Sequence, residues 1–225
     1  MSPNFQLHHI TDQSVRVLTE VSLTDLASLR AALRKLHDIY NVRNVVISSV
    51  PLSKLSASLP PYLLPPVQPS EGSIHDEQSY LICIASSVND NEAGSLSTVY
   101  AGCVELIPGY FSGVGDLFSA LLLGHYTQSS ATPLSSTKSP APLAHATSHS
   151  LSRTRAILTL TQESASTYSL PSTDDELDAS EPDRKSRRMK GRELRIIQGQ
   201  DVFRRKEWDR VAKMHVWEGF WNDAT

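Results

Sequence analysis

The sequence predicts an α/β fold with a mostly parallel sheet flanked by helices, and three observations carry that reading. Leu26, Leu29, Leu33 and Leu36 recur at spacings of three and four, which places them on one face of a helix. Asn44 to Ser49 (NVVISS) follows as a Val- and Ile-rich run without alternation, the pattern of a strand buried on both faces. A helix that feeds directly into a buried strand is half of a βαβ unit, and such units build parallel sheets. Two further strand patterns, Tyr80 to Ser86 and Ser97 to Leu106, enclose a polar stretch of turn formers that suits a hairpin.

Thr24 stands where an N-cap of the first helix would, with Asp25 favourable near the positive end of its dipole, and Asn41 marks the stop. Residues 51–73 hold Pro51, Pro60, Pro61, Pro65, Pro66 and Pro69 and read as a loop insertion. A helix runs from Gly115 to about Tyr126, apolar nearly all round and therefore expected to be buried. Residues 127–142, rich in Ser, Thr, Pro and Ala, read as a second insertion, and Leu143 to Thr161 as a further helix. The polar stretch 162–192 reads as a disordered third insertion. Glu193 to Gln198 resumes a strand pattern, and the stretch with Trp208, Trp217 and Trp221 reads as a helix packing its aromatics onto the body.

Composition removes several function classes. Lys+Arg 21 against Asp+Glu 24 leaves a net charge of −3, which argues against a generally basic nucleic-acid binder. The exception is the block 185–192 (KSRRMKGR), which follows an acidic run and reads as the basic half of a self-compensating segment. Its rival readings are a nuclear-localisation or nucleic-acid patch. No run approaches the roughly 18 apolar residues of a membrane span, and Met1 to His9 lacks the cationic start and apolar run of a secretory signal. Cys83 and Cys103 suit neither a disulfide framework nor a four-ligand zinc site. A cytoplasmic, reducing location is the expectation. His8 and His9 are not read as metal ligands. His145 and His149 have i, i+4 spacing, but no third ligand completes a site.

The chemistry concentrates in Phe111-Ser-Gly-Val-Gly-Asp-Leu-Phe-Ser-Ala-Leu-Leu-Leu. Gly113 and Gly115 permit positive φ and a close approach of backbone to ligand. The amides of Val114, Gly115 and Asp116 then face outward at a helix N-terminus, a site for an anion and above all for a phosphate. A carboxylate there repels a phosphate, but it makes sense as a base taking a proton from a hydroxyl that attacks one. Read alone, these residues fit equally a tight turn whose helix Asp116 caps.

The surroundings weigh against the bare turn. The segment resembles the F-x-G-T-G-D-x-F-x-A-x-L-L signature of ribokinase-like vitamin kinases, and within them pyridoxal kinases. Leu33-Arg-Lys-Leu-His, Val45-Val-Ile-Ser-Ser, Tyr80-Leu-Ile-Cys-Ile-Ala-Ser and Glu193-Leu-Arg-Ile-Ile-Gln resemble other segments of that family in the same order. The resemblance implies a ribokinase-like fold and ATP-dependent phosphorylation of the 5′-hydroxymethyl group of pyridoxal, pyridoxine or pyridoxamine. ATP, Mg2+ and a monovalent cation such as K+ are the implied cofactors, and a homodimer the implied assembly. A hydroxymethylpyrimidine or sugar kinase of the same fold is the sibling reading.

By that resemblance Asp116 is the catalytic base and Gly113, Val114 and Gly115 form the anion hole, with Val114 where the family usually has Thr. Ser48 matches a Thr that reaches the ATP phosphates, Phe111 walls the nucleotide site, and Asn4 belongs to a T-P-N-like motif, Ser2-Pro3-Asn4. The resemblance spans residues 18–225 outside the insertions, but only the C-terminal half of the family's fold, and it leaves residues 1–17 doubtful. The expectation is an N-terminally truncated chain, poorly stable and weakly active or inactive by itself. A kinase-like protein that binds a nucleotide or partner without turnover is therefore the rival in a second class.

Overall fold

Strands that are apolar on both faces need cover on both, and the computed structural model, which describes residues 7–65, 79–88, 96–109, 111–131, 141–168, 170–171, 175–205 and 212–222, supplies two layers of it. The sheet has the order β1 (Leu7–Thr11), β2 (Asn44–Pro51), β3 (Tyr80–Ser87), β4 (Thr98–Glu105) and β5 (His215–Val216). It is mixed. The expected parallel pairing joins β1 to β2, whereas β3, β4 and β5 each add antiparallel. The antiparallel pair β3–β4 follows from the short polar connection between them, too short for a crossover helix.

Alternate residues of each strand enter different cores. Ile10, Val45, Ile47, Ile82, Ile84 and Val99 face α1 (Asp12–Thr19), α2 (Leu26–Arg34) and the C-terminal aromatics. Val46, Cys83, Ala85 and Tyr100 face α3 (Val114–Ala131) and α4 (Pro142–Ser166). Residues 7–17, set apart in the sequence, are built into this fold. β1 pairs along its length with β2, and Ile10 and Val15 are buried. Asn4 lies outside the described residues.

The α2 stripe is as expected, with Leu29 and Leu33 fully buried, and the helix runs on through a π turn at Lys35–Ile39. Its cap is Asp25 rather than Thr24. The Asp25 carboxylate accepts from the Ser28 amide at 2.8 Å, and the Ser28 hydroxyl accepts from the Asp25 amide, a reciprocal capping box. Asn41 ends the segment in the left-handed region, at φ 54°. Buried His37 donates from Nδ1 to the Val42 carbonyl at 2.6 Å, so its Nε2 accepts from the Ser86 hydroxyl at 2.8 Å.

Several expected elements take a different form. The described part of the Pro-rich stretch, residues 51–65, also packs into the core: Leu52, Leu55, Leu59 and Leu63 are buried along three short 3-10 turns. Helix α3 buries one face, Phe118 and Leu122, while Leu123 is 51 % exposed. The 162–192 stretch is largely helical where described: α4 continues to Ser166, and α5 (Asp175–Ser180) and α6 (Pro182–Gly191) follow. Charge holds the last two together, because Asp178 pairs with both Arg184 and Arg188 and its carboxyl is held below the usual range, chiefly by the Arg188 hydrogen bond. Arg188 of the basic block, and Arg184 just before it, are thus paired with an acidic residue of the preceding run. Glu193–Gln198 is not a strand; Glu193 makes a single bridge to Ser112, and turns precede the short α7 (Gln200–Arg204).

Residues 212–222 of the C-terminal stretch likewise form no helix. Met214 and β5 cross β4, and Trp217 and Phe220 then bury against the α1–α2 side. Trp221 donates from its indole to the Ser97 carbonyl at 2.8 Å, and Arg30 binds the carbonyls of Phe220 and Asn222. Trp208 lies outside the described residues.

Between α3 and α4, His125, His145 and His149 cluster, with ring centroids 5.2 Å apart for His125–His149 and 4.4 Å for His145–His149. Arg153 occupies the Nδ1 of His149 at 3.0 Å, and among the described residues no group is arranged to hold a metal. Burial lowers the pKa of all three, and of His9 and His37, with His9, His125 and His149 near 4. These rings are neutral when folded and titrate at about 6.5 when unfolded, so the unfolded chain binds more protons below that pH. Stability is therefore expected to be full above pH 6.5 and to fall steeply as pH drops toward 4. Each proton of difference contributes about 1.4 kcal/mol per pH unit. Urea midpoints measured from pH 7.5 to 4.5 check this; a flat profile contradicts it.

Candidate functional site

The carboxyl ends of parallel strands are where open α/β sheets place ligands, and here the ends of β1 and β2 meet the N-terminus of α3. Opposite Cys83, β2 carries an extra residue: the register shifts between Ile47 and Val50, and Ser49 sits at φ 62°. This bulge breaks the strand where Ser48 and Ser49 reach a pocket of about 480 Å³. Its other walls are Leu106, Ile107, Gly109 and Phe111, the start of α3, and Leu151, Thr154 and Leu158 of α4.

The structure brings together Ser48, Phe111, Val114 and Gly115 of the expected residues. Gly113 takes φ 82°, as a turn of this kind requires, and its carbonyl accepts from the Leu117 amide at 3.0 Å, which makes it the helix cap. The amides of Val114, Gly115 and Asp116 follow and have no partner within the helix. Gly115 differs from expectation: it lies inside the helix, and a Cβ there would meet nothing within 4 Å. Asp116 is exposed in the first turn of α3, beside the pocket rather than among its lining residues.

Two lining residues were not anticipated. His9, on β1, is hydrogen bonded to Ser48 through Nε2 and to Ser119 of α3 through Nδ1, both at 2.8 Å, and its ring lies 4.6 Å from that of Phe118. No local pattern marks it, since its partners are 39 and 110 residues away. Thr154 is 6 % exposed, and its hydroxyl has no hydrogen-bond partner among the described residues. A buried unsatisfied hydroxyl costs free energy. Thr154→Val, of the same shape, is therefore expected to stabilise the ligand-free chain by about 1 kcal/mol, read as a higher urea midpoint; a lower midpoint contradicts it. Cys83 and Cys103 are poor nucleophiles. Burial raises both thiol pKa values, that of Cys103 to about 11.

No family model matches the sequence, and no curated protein sequence matches it. Solved structures do. The pyridoxal kinase of Leishmania donovani, in complex with ADP and pyridoxine, superposes with a TM-score of 0.59 at 18% identity, over 94% of this chain and 51% of that one. Plasmodium falciparum PdxK, with AMP-PNP and PL, gives 0.56 at 16% identity over 94% and 50%. A Bacteroides thetaiotaomicron protein assigned as a phosphomethylpyrimidine kinase, with pyridoxal, gives 0.52 at 14% identity over 92% and 51%. The chain thus spans about half the length of the structures it matches, and across that half it has a pyridoxal kinase-like fold.

Proposed function

We propose that this chain carries the nucleotide-binding site of an ATP-dependent kinase that phosphorylates the 5′-hydroxymethyl group of pyridoxal or a close relative. The observation that carries the reading is the pocket in which a positive-φ glycine opens a helix N-terminus beside a bulged strand end. Free amides at a helix start bind phosphate oxygens without any cationic side chain. In the proposed reaction the amides of Val114, Gly115 and Asp116 hold the charge of the transferred phosphoryl group. Asp116 takes the proton of the attacking hydroxyl. Phe111 and the apolar lining exclude water. Magnesium fits this donor set as an ion carried mainly by ATP oxygens, since such ions take few protein ligands; when bound it neutralises phosphate charge.

Two observations favour narrower alternatives. The match to a phosphomethylpyrimidine kinase keeps a pyrimidine acceptor open, and the place of Asp116 beside the pocket lining favours nucleotide binding without turnover. Incubating the purified chain with Mg-ATP and, separately, pyridoxal, pyridoxine and hydroxymethylpyrimidine tests all three. Phosphorylation of the pyridoxal forms supports the kinase reading. A preference for the pyrimidine moves the substrate assignment, and ADP binding with no acceptor phosphorylated leaves nucleotide binding alone.

A further inference from the structure

We propose that His9 fixes the hydrogen-bond polarity of Ser48, so that Ser48 turns its oxygen lone pairs, and not its proton, toward the ligand in the pocket. The inference rests on the reading of this pocket as a nucleotide site, and it reverses the role that resemblance assigns to Ser48.

The argument is a count of hydrogens. The Ser119 hydroxyl donates to the Gly115 carbonyl at 2.8 Å, and a carbonyl has no proton to give back. Ser119 has then spent its only hydrogen, so toward His9 it can only accept, and the ring proton sits on Nδ1. Burial keeps the imidazole neutral, which leaves Nε2 with a lone pair. The Ser48 hydroxyl, 2.8 Å from Nε2, must donate to it. Ser48 is 8 % exposed and its single hydrogen is taken. His37 obeys the same logic with Val42 and Ser86, but away from the pocket.

A hydroxyl held in this way accepts from an amine, a ribose hydroxyl or a cation; it does not donate to a phosphate oxygen. Phosphate recognition then falls to the amides at the start of α3, and His9 is a positioning residue that restrains the affinity. Releasing Ser48 should add one donor to an anionic oxygen, a bond of about 1.5–3 kcal/mol, which is on the order of tenfold or more in affinity.

The test has two arms. Without ligand, a long-range 1H–15N spectrum should show His9 as the neutral Nδ1–H tautomer, a signature that a purely structural histidine need not have; finding Nε2–H overturns the proposal whether or not nucleotide binds. With Mg-ADP, calorimetry on the native chain, His9→Phe, Ser48→Ala and the double variant should give about tenfold tighter binding for His9→Phe. Ser48→Ala should then weaken binding about tenfold more in the His9→Phe background than in the native one. Equal effects of Ser48→Ala in both backgrounds overturn the proposal. Ser119→Ala, conservative on a helix surface, serves if His9→Phe fails to fold, and should tighten Mg-ADP in the same direction. Mg-ADP binding to none of the variants, with Nδ1–H still observed, removes the nucleotide reading and leaves the polarity of Ser48 standing.

Discussion

Asp116→Asn is expected to lower phosphoryl transfer to pyridoxal by about 10²–10⁴-fold while Mg-ADP affinity stays within about threefold, less than the tenfold that 1.4 kcal/mol represents. The substitution keeps size and position in the first turn of α3 but removes the ability to take a proton. Because Asp116 is exposed and lies beside the pocket lining, the amides of Val114 and Gly115 should be undisturbed. Initial rates at saturating Mg-ATP, with binding measured on the same preparations, separate the two effects. Equal rates for both forms would remove Asp116 as the base. A parallel loss of binding would make it a cap of α3 instead.

Trp217→Ala is expected to destabilise the chain by about 3–5 kcal/mol, a large part of the stability of a domain this size. Trp217 is 4 % exposed, its amide donates to the Val99 carbonyl at 2.8 Å, and its ring meets Phe220 edge-on at 5.0 Å. Arg30 and Arg34 lie over the rings of Phe220 and Trp221, so the segment closes the α1–α2 core through several independent contacts. Truncating the indole opens a cavity that short β5 cannot collapse to fill. Urea unfolding of the variant at pH 7.5 measures the loss; a midpoint unchanged from the native chain would show that the segment adds no stability.

What was legible in the sequence was its local apolar pattern. The leucine spacing of α2 and the unbroken apolar runs of β2 and β3 each name a core face, and the two-faced burial of those strands accounts for the missing alternation. Asp25 was misplaced as a dipole partner because Thr24 and Asp25 can both cap. Only Ser28, three residues beyond Asp25, distinguishes them. Helices α5 and α6 were illegible because their order comes from Asp178 with Arg184 and Arg188 rather than from an apolar stripe. Glu193–Gln198 has strand composition but only one bridge partner, and Ile197 is 76 % exposed. At the site, the glycine turn was readable because it is local. His9 and Thr154 were not, since each acquires its meaning from elements far away in the chain.

The most direct test of the nucleotide pocket is an amide 1H–15N titration of the chain with Mg-ADP, with adenosine as the comparison. The account predicts large shifts at Val114, Gly115 and Asp116, with Ser48 and Ser49 following, and little change at these amides with adenosine. Shifts confined to the cleft lined by Arg187, Lys190 and Arg195 would place the anion elsewhere and contradict it.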